Sequence, residues 1–317
     1  MMNETQLGHR IDRLHGEQER QLDSFLSQPS IVACVVTPVV VSPQLLTRMD
    51  AQRVYHFAGR VPASGQGEKR TSMLLQESMI RLCPGIGSSF VILCEEALKN
   101  AHGLYASPSM LSGHSNDPGR GLDVQFELNP SETRELAEYM RWLGSVRPAF
   151  DLLHDRDVGA RSVAVQSMPK FRRLAGFSSW DELSRHAAET MSQVAKSIWV
   201  TTSTSKKTGF MEQVGEIASE KKLSVRCMIA DQASARDLAD AYPSWEVLHC
   251  PPMAANSILL DANDDPVAFT CSVNWMGASM EKTMGVALPL RIDDVRIKQV
   301  RHLWDEVAPF CKRIEAK

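Results

Sequence analysis

Apolar and polar residues form separate runs between Ala254 and Trp275. Two short apolar runs, Ser257–Asp261 and Val267–Val273, are separated there by the segment Asn263-Asp264-Asp265-Pro266. Asp, Asn and Pro favour a chain reversal because they bond to their own backbone or fix φ. The pattern therefore predicts two strands joined by a turn.

Helices and strands alternate on both sides of this strand pair. A capping box at Ser179 and Glu182 predicts the start of a helix, because each side chain bonds to a backbone donor of the other residue. The further predicted strands are Ser197–Ser203, Leu223–Ala230, Trp245–Cys250 and Gly285–Leu290, and the further predicted helices are Thr208–Glu220, Ser234–Tyr242 and Asp294–Ile314. This alternation is typical of an α/β fold whose sheet is covered by helices on both faces.

The N-terminal part gives a weaker pattern. Residues 4–27 predict an amphipathic helix, which is either a docking or dimer-forming arm or a helix surrounded by solvent. The apolar run Ser30–Val41 indicates a strand that is buried on both faces. Thr71–Leu82 predicts a helix, and Phe90–Asn100 fits either a strand entering a helix or one helix throughout. Asn129-Pro130-Ser131-Glu132 predicts the capped start of another helix.

These elements predict three regions. Residues 1–28 form an N-terminal helical arm, residues 29–177 a separate α/β or α+β domain, and residues 178–317 an α/β domain. The last boundary lies near Ala175–Ser178, where the capping box opens a new series of helices and strands.

Composition narrows the classes of function. A net charge of −3, with 43% hydrophobic and 23% charged residues, is typical of an ordinary soluble protein and gives no case for broad nucleic-acid or membrane binding. No apolar run reaches the ~20 residues that cross a bilayer, and the N-terminus is charged where a signal peptide is apolar. The seven cysteines form no CxxC pair, which indicates a reducing compartment. We expect a cytoplasmic protein.

Histidines and carboxylates form no strong catalytic or metal-binding pattern. His114 lies among serines and Asp117 in an irregular segment, and His154 precedes Asp155 and Asp157. Polar residues gather in any surface loop, so both groups are more typical of solvated loops than of sites. A ligand-facing loop or a hydrolytic site in the N-terminal domain stays the alternative. No spacing resembles a metal site, and we expect neither a metal nor a cofactor.

The segment around the predicted strand pair resembles one half of the phospholipase D-like fold. That family carries a His-x-Lys-x4-Asp motif, followed by a Gly-Ser-x-Asn-like segment. When Asp261 is matched to the family's aspartate, Ala254 falls at the histidine and Asn256 at the lysine. Ser272 and Asn274 then match the later serine and asparagine. The C-terminal domain is therefore expected to be a phospholipase D-like sheet covered by helices.

The resemblance covers roughly residues 178–315 and implies a site without catalytic residues. In the family, the histidine attacks phosphorus and the lysine holds the phosphate charge. Alanine cannot act as a nucleophile, and a neutral asparagine cannot balance phosphate charge as an ammonium group does. Four positions of the degenerate motif remain as candidate ligand contacts, namely Asn256, Asp261, Ser272 and Asn274.

Phospholipase D-like domains without the catalytic pair are similar to the middle domain of sugar-sensing archaeal transcription regulators. There the fold supports a dimer and an effector pocket, so the resemblance implies a homodimer that binds a small molecule or a protein partner. No winged helix precedes the domain, so direct DNA binding is not expected, whereas contact with a DNA-binding partner stays open.

Two functions follow from these observations. The first is a non-catalytic regulatory or sensor protein, with transcription regulation as one form of that role. The alternative is a hydrolase or phosphodiesterase, with a site in the N-terminal domain or a shifted site near His249, five residues before Ala254.

Overall fold

In the computed structural model of the chain, the described residues are 4–39, 41, 43–60, 79–83, 85–95, 100–106, 111, 122, 124–146, 150–151, 168–177, 179–192, 196–203, 209–251, 253, 255–260, 267–270, 285–290 and 294–316. They form two sheets with helices around them, a mixed α/β architecture as the sequence predicted.

The N-terminal half contains a seven-stranded sheet. Its strands are β1 (Ser30–Val39), β2 (Ala51–Arg60), β3 (Met79–Leu82), β4 (Phe90–Cys94), β5 (Ala101–Tyr105), β6 (Phe126–Leu128) and β7 (Phe150–Asp151). Their order is β6-β5-β4-β1-β2-β3-β7. Strands β1, β2 and β3 run parallel, and the other neighbours pair antiparallel.

The C-terminal half contains an eight-stranded sheet. Its strands are β8 (Ala175–Phe177), β9 (Ser197–Thr202), β10 (Ser224–Ile229), β11 (Glu246–His249), β12 (Ser257–Leu260), β13 (Val267–Thr270), β14 (Gly285–Leu290) and β15 (Lys312–Ile314). Their order is β15-β11-β10-β9-β12-β13-β14-β8. Strands β9, β10 and β11 run parallel, and the other neighbours pair antiparallel.

The described helices surround these sheets. They are α1 (Glu4–Leu26), α2 (Pro43–Thr47), α3 (Pro130–Val146), α4 (Trp180–Met191), α5 (Gly209–Lys221), α6 (Gln232–Ala241) and α7 (Ile297–Val307), and the 3-10 turn Ala308–Phe310 follows α7. In these described ranges, we find no helix with both the length and the apolar character that membrane crossing requires.

The two sheets repeat one topology. The second sheet read from β14 to β15 has the same order and the same strand directions as the first sheet read from β6 to β7, and β8 is an additional edge strand. Helix α3 follows β6 as α7 follows β14. The chain therefore contains two copies of one α/β module, which the sequence patterns did not reveal.

One large hydrophobic core joins the two halves. It contains residues from both sheets and from α3 and α7, among them Phe90, Tyr139, Trp199 and Trp304. Helices α1 and α2 cover the opposite face of the first sheet, and α4, α5 and α6 cover the opposite face of the second. Because Leu22 and Phe25 of α1 are 2% exposed, α1 is a docked helix and not a helix surrounded by solvent.

Two of the predicted helices are wrong in part. Residues 79–82 of the predicted helix Thr71–Leu82 form β3, because parallel pairing with β2 satisfies their backbone groups; residues 71–78 lie outside the described residues. The helix predicted to run to Ile314 ends at Val307. Pro309 occupies the 3-10 turn that follows, and the last residues form β15 against β11.

Candidate functional site

The degenerate motif predicted from the sequence begins at the start of β12, and β4 is the matching strand of the N-terminal half. The first residue of each strand pairs with the central strand of its own sheet, Phe90 with Val36 and Ser257 with Thr201. Core residues of both strands, such as Ile92 and Leu259, lie in the cluster that joins the halves. The residues that directly precede β4 and β12 are therefore equivalent.

Asn256 precedes β12 and is 6% exposed. Its Oδ1 accepts a hydrogen bond from Thr202 Oγ1 at 3.1 Å, and its backbone oxygen accepts one from Thr270 Oγ1 at 3.3 Å. The neighbouring hydroxyls of Thr201 and Ser257 lie 2.7 Å apart. Asn256 is thus part of a buried layer whose described hydrogen-bonding groups are neutral and offer no charge to hold a phosphate.

Ser88 and Ser89 precede β4 and are completely buried. The Ser88 hydroxyl donates to the carbonyl oxygen of Val286 at 3.2 Å and accepts from its N–H at 2.6 Å. Tyr105 Oη donates to the same carbonyl at 3.0 Å. The segment before β4 is therefore bonded to β14 of the other half.

The reverse contact is made by the segment before β12. The N–H of Ala255 donates to the carbonyl oxygen of Leu122 at 3.0 Å, and Leu122 forms a parallel bridge with Met253. Leu122, Met253 and Ala255 are at most 1% exposed. Each half thus places the start of its equivalent strand against the other half, and small or apolar residues fill the junction.

Several residues singled out from the sequence lie outside the described residues. These are Ala254, Asp261, Ser272, Asn274, His114 and His154. His249 is described and ends β11, which is separated from β12 by β10 and β9. Three strand spacings of about 4.8 Å place it roughly 14 Å from Asn256. His249 therefore does not replace a nucleophile beside Asn256.

A hydroxyl–imidazole pair in the first sheet was not foreseen from the sequence. Thr37 Oγ1 lies 2.9 Å from His56 Nε2, and such a pair is the arrangement that activates a nucleophile. However, Thr37 is 1% and His56 0% exposed, so a substrate cannot approach them in this conformation. Burial lowers the pKa of His56 from 6.5 to about 3, and the imidazole is neutral at physiological pH.

His56 should make folding stability depend on pH. The unfolded chain takes up a proton on His56 near pH 6.5, whereas the folded chain takes it up only near pH 3. The unfolded state therefore binds more protons in that window, and stability falls as the pH falls. We expect the free energy of unfolding to fall by about 2 kcal/mol between pH 6.5 and 5.

Urea unfolding at a series of pH values measures this loss of stability. The variant His56→Gln should lack this step, and the control His102→Gln, on the exposed side of β5, should keep it.

A partly buried ion-pair cluster joins the two equivalent helices α3 and α7. Glu132, in the first turn of α3, accepts hydrogen bonds from both terminal nitrogens of Arg296 at 2.8 Å. Arg296 Nε also donates to Asp294 at 2.8 Å. Glu132 completes the predicted capping box, because its Oε2 accepts from the N–H of Asn129 at 3.0 Å while Asn129 Oδ1 caps the helix. The cap of α3 is thus also the anchor for α7.

Metal ligands do not cluster in the described part of the chain. We find there no group of three or more His, Cys, Asp or Glu side chains placed to hold a metal ion. The described cysteines are Cys34, Cys83, Cys94, Cys227, Cys250 and Cys311.

Comparison with known proteins gives matches in structure but not in sequence. No protein-family model and no curated protein matches the chain. A phosphatidylserine synthase from Haemophilus influenzae Rd KW20 matches with a TM-score of 0.63 at 10% identity, over 95% of this chain and 86% of the synthase. The polyphosphate kinase from Porphyromonas gingivalis matches with a TM-score of 0.59 at 12% identity, over 95% of this chain. This chain spans 47% of that kinase.

A phospholipase D family member, Nuc from Salmonella typhimurium, matches 42% of this chain at 12% identity with a TM-score of 0.36. The fold is phospholipase D-like, as the resemblance implied for the C-terminal part. The matches to the synthase and the kinase extend over nearly the whole chain, which agrees with the topology that the two sheets share.

Proposed function

We propose that the chain is a non-catalytic regulatory or sensor protein, built on a phospholipase D-like scaffold whose two modules both lack the catalytic pair. The supporting observation is the residue type at the two equivalent strand starts. Asn256 and Ser89 occupy the position of the family's lysine, and Ala254 and Gly87 that of its histidine. None of the nine histidines in the chain is followed two residues later by a lysine.

The chemistry of these residues supports the proposal. Phosphoryl transfer through a covalent intermediate requires an activated nucleophile and positive charge around the phosphate. The Ser88 hydroxyl is engaged with the backbone of Val286, and the amide of Asn256 carries no charge. A shared fold with unrelated activities does not transfer those activities, because function depends on the site.

The regulatory role requires a ligand or a protein partner. We propose that Asp261, Ser272 and Asn274 contact a small molecule near Asn256. We also propose that the protein acts in the cytoplasm, with a DNA-binding partner if the role is in transcription.

The proposed division of the chain is an N-terminal helical arm over residues 1–28 and two domains over residues 29–177 and 178–317. Strand β8 pairs with β14 and begins at Ala175, so the second sheet starts three residues before the proposed boundary at residue 178.

A homodimer is also part of the proposal. Isolated modules of this fold pair face to face, and here the two modules of one chain already pack against each other. A mass near twice 35.2 kDa by light scattering would support the dimer, and 35.2 kDa would oppose it.

The proposal predicts no phosphodiesterase activity. With bis(4-nitrophenyl) phosphate as substrate, we expect the rate of nitrophenolate release to equal that of the buffer alone, because neither module has the nucleophile. The variant His249→Ala should give the same rate as the unchanged chain.

Enzyme-dependent turnover would contradict the non-catalytic function. If that turnover disappeared in His249→Ala, the site would lie near β11. If it disappeared in His114→Ala or His154→Ala but not in His249→Ala, the alternative of an N-terminal hydrolytic site would hold.

A further inference from the structure

Two cysteines lie across from each other at the edge of the second sheet. The antiparallel pair of β11 and β15 sets His249 opposite Lys312. One residue further along this register, Cys250 faces Cys311. Directly opposed residues of antiparallel strands have Cα atoms about 4.5 to 5.5 Å apart, which lies within the range that a disulfide spans.

The two side chains also lie on the same face of the sheet. Cys250 belongs to the core that joins the halves, and Cys311 packs against that core. Hydrogen bonding to the Cys311 thiol, together with burial, raises the pKa of the Cys250 thiol. The strand register and the shared face therefore place the two thiols side by side, and no change of backbone register is needed to join them.

The two thiols differ in their access to solvent. Cys250 is completely buried, whereas Cys311 is partly exposed and its thiol donates to the carbonyl oxygen of Val307 at 3.3 Å. An oxidant from solution can reach Cys311 first, and Cys250 lies behind it as the second thiol.

The cysteines of the first sheet have a different geometry. Cys34 pairs with Ile92 and Cys94 with Val32, so the two cysteines are diagonal neighbours. Diagonal positions are about 7 to 8 Å apart, which is too far for a disulfide without backbone movement. Both residues are also buried. This pair is therefore a natural control within the same chain.

We propose that Cys250 and Cys311 form a modification site, at which a hydroperoxide converts the two thiols into a reversible disulfide. The sulfur of Cys311 attacks the peroxide oxygen, the O–O bond breaks, and a sulfenic acid and one water or alcohol result. The sulfur of Cys250 then attacks the sulfur of Cys311, and the S–O bond breaks. The leaving hydroxide takes the Cys250 proton as water. Two thiols are oxidised, and one hydroperoxide is reduced.

The disulfide would fix the last strand to the sheet. It would join the end of β11 to the start of β15, and β15 follows the 3-10 turn after α7. The closed loop of about 60 residues would restrict the unfolded chain and raise the melting temperature. In reducing compartments, disulfides are mostly transient and redox-sensing, so a reversible bond agrees with the scattered cysteines of the sequence.

The test is treatment of the full chain with hydrogen peroxide, followed by mass spectrometry of the intact protein and of its peptides. We expect the loss of two hydrogen atoms, a linked peptide pair containing Cys250 and Cys311, and reversal by dithiothreitol. The oxidised chain should melt about 5 °C higher than the reduced chain.

Variants separate this outcome from nonspecific oxidation. In Cys311→Ser, which changes a partly exposed position, both the linked peptide and the increase in melting temperature should be absent, and in Cys94→Ser both should remain. Oxygen addition at Cys311 without a linked peptide, a link to another cysteine, or unchanged thiols after treatment would each overturn the proposal.

Discussion

Replacing Arg296 by alanine is expected to lower the free energy of unfolding by about 4 kcal/mol. The guanidinium group makes two parallel hydrogen bonds to Glu132, each 2.8 Å long. The Glu132 side chain is 5% exposed and that of Arg296 14%. Removing the guanidinium would leave a carboxylate that is buried without its partner, which costs far more than the pair itself contributes.

The pKa of Asp294 also depends on its contact with Arg296 in this cluster. Burial raises the pKa of Asp294, but the hydrogen bonds from Arg296 lower it by more, and the resulting pKa is below the ordinary value of 3.8. Without the guanidinium, burial and the hydrogen bond from the backbone N–H of residue 296 remain, and the pKa of Asp294 rises. In the unchanged chain, acidification removes the stability that Asp294 contributes, because the unfolded state takes up its proton first. In Arg296→Ala this acid-dependent loss should be smaller.

Urea unfolding at pH 7 measures the main effect, and a surface pair supplies the control. Arg185 and Glu182 are 3.6 Å apart, with side chains 64% and 33% exposed. Arg185→Ala should cost less than about 1 kcal/mol. Adding Glu132→Gln to Arg296→Ala should restore part of the loss, because the buried group becomes neutral. Equal losses in the two arginine variants would show that the cluster does not hold α3 and α7 together.

The second sheet was largely predictable, because its elements carry local signals. Strand β14 has the bounds that its apolar run predicted, and the side chain of Ser179 accepts from the N–H of Glu182, as a capping box requires. The end of α7 was less predictable, since apolar spacing continues to Ile314. Pro309 and the pairing of β15 with β11 override that spacing.

The repeat of one module could not be predicted, because topology depends on strand pairing and not on residue identity. Gly87-Ser88-Ser89 and Ala254-Ala255-Asn256 share no residue type at equivalent positions. Residues 79–82 fit a helix in sequence, and their pairing with β2 makes them a strand. The contact between Glu132 and Arg296 joins residues that are 164 positions apart. Local patterns contain no information about such contacts.

The junction between the modules provides the second large effect. Replacing Gly285 by alanine is expected to lower the free energy of unfolding by about 3 kcal/mol. The added methyl group would lie 2.3 Å from Ser88 Oγ and 2.9 Å from the Phe177 ring. Ser88 would have to move, and its two hydrogen bonds to Val286 would break. The cost therefore combines overpacking with buried polar groups that lose their partners.

A double-mutant cycle distinguishes this mechanism from a general effect of replacing glycine. Ser88→Ala removes the oxygen that the new methyl group would strike, so the double variant should lose less stability than the sum of the two single variants. Gly8→Ala is the matched control, since nothing lies within 4 Å of its added methyl group. Because alanine favours a helix more than glycine does, Gly8→Ala should be neutral or stabilising by up to about 1 kcal/mol. Strictly additive losses at Gly285 and Ser88 would mean that the two modules are not packed together through this contact.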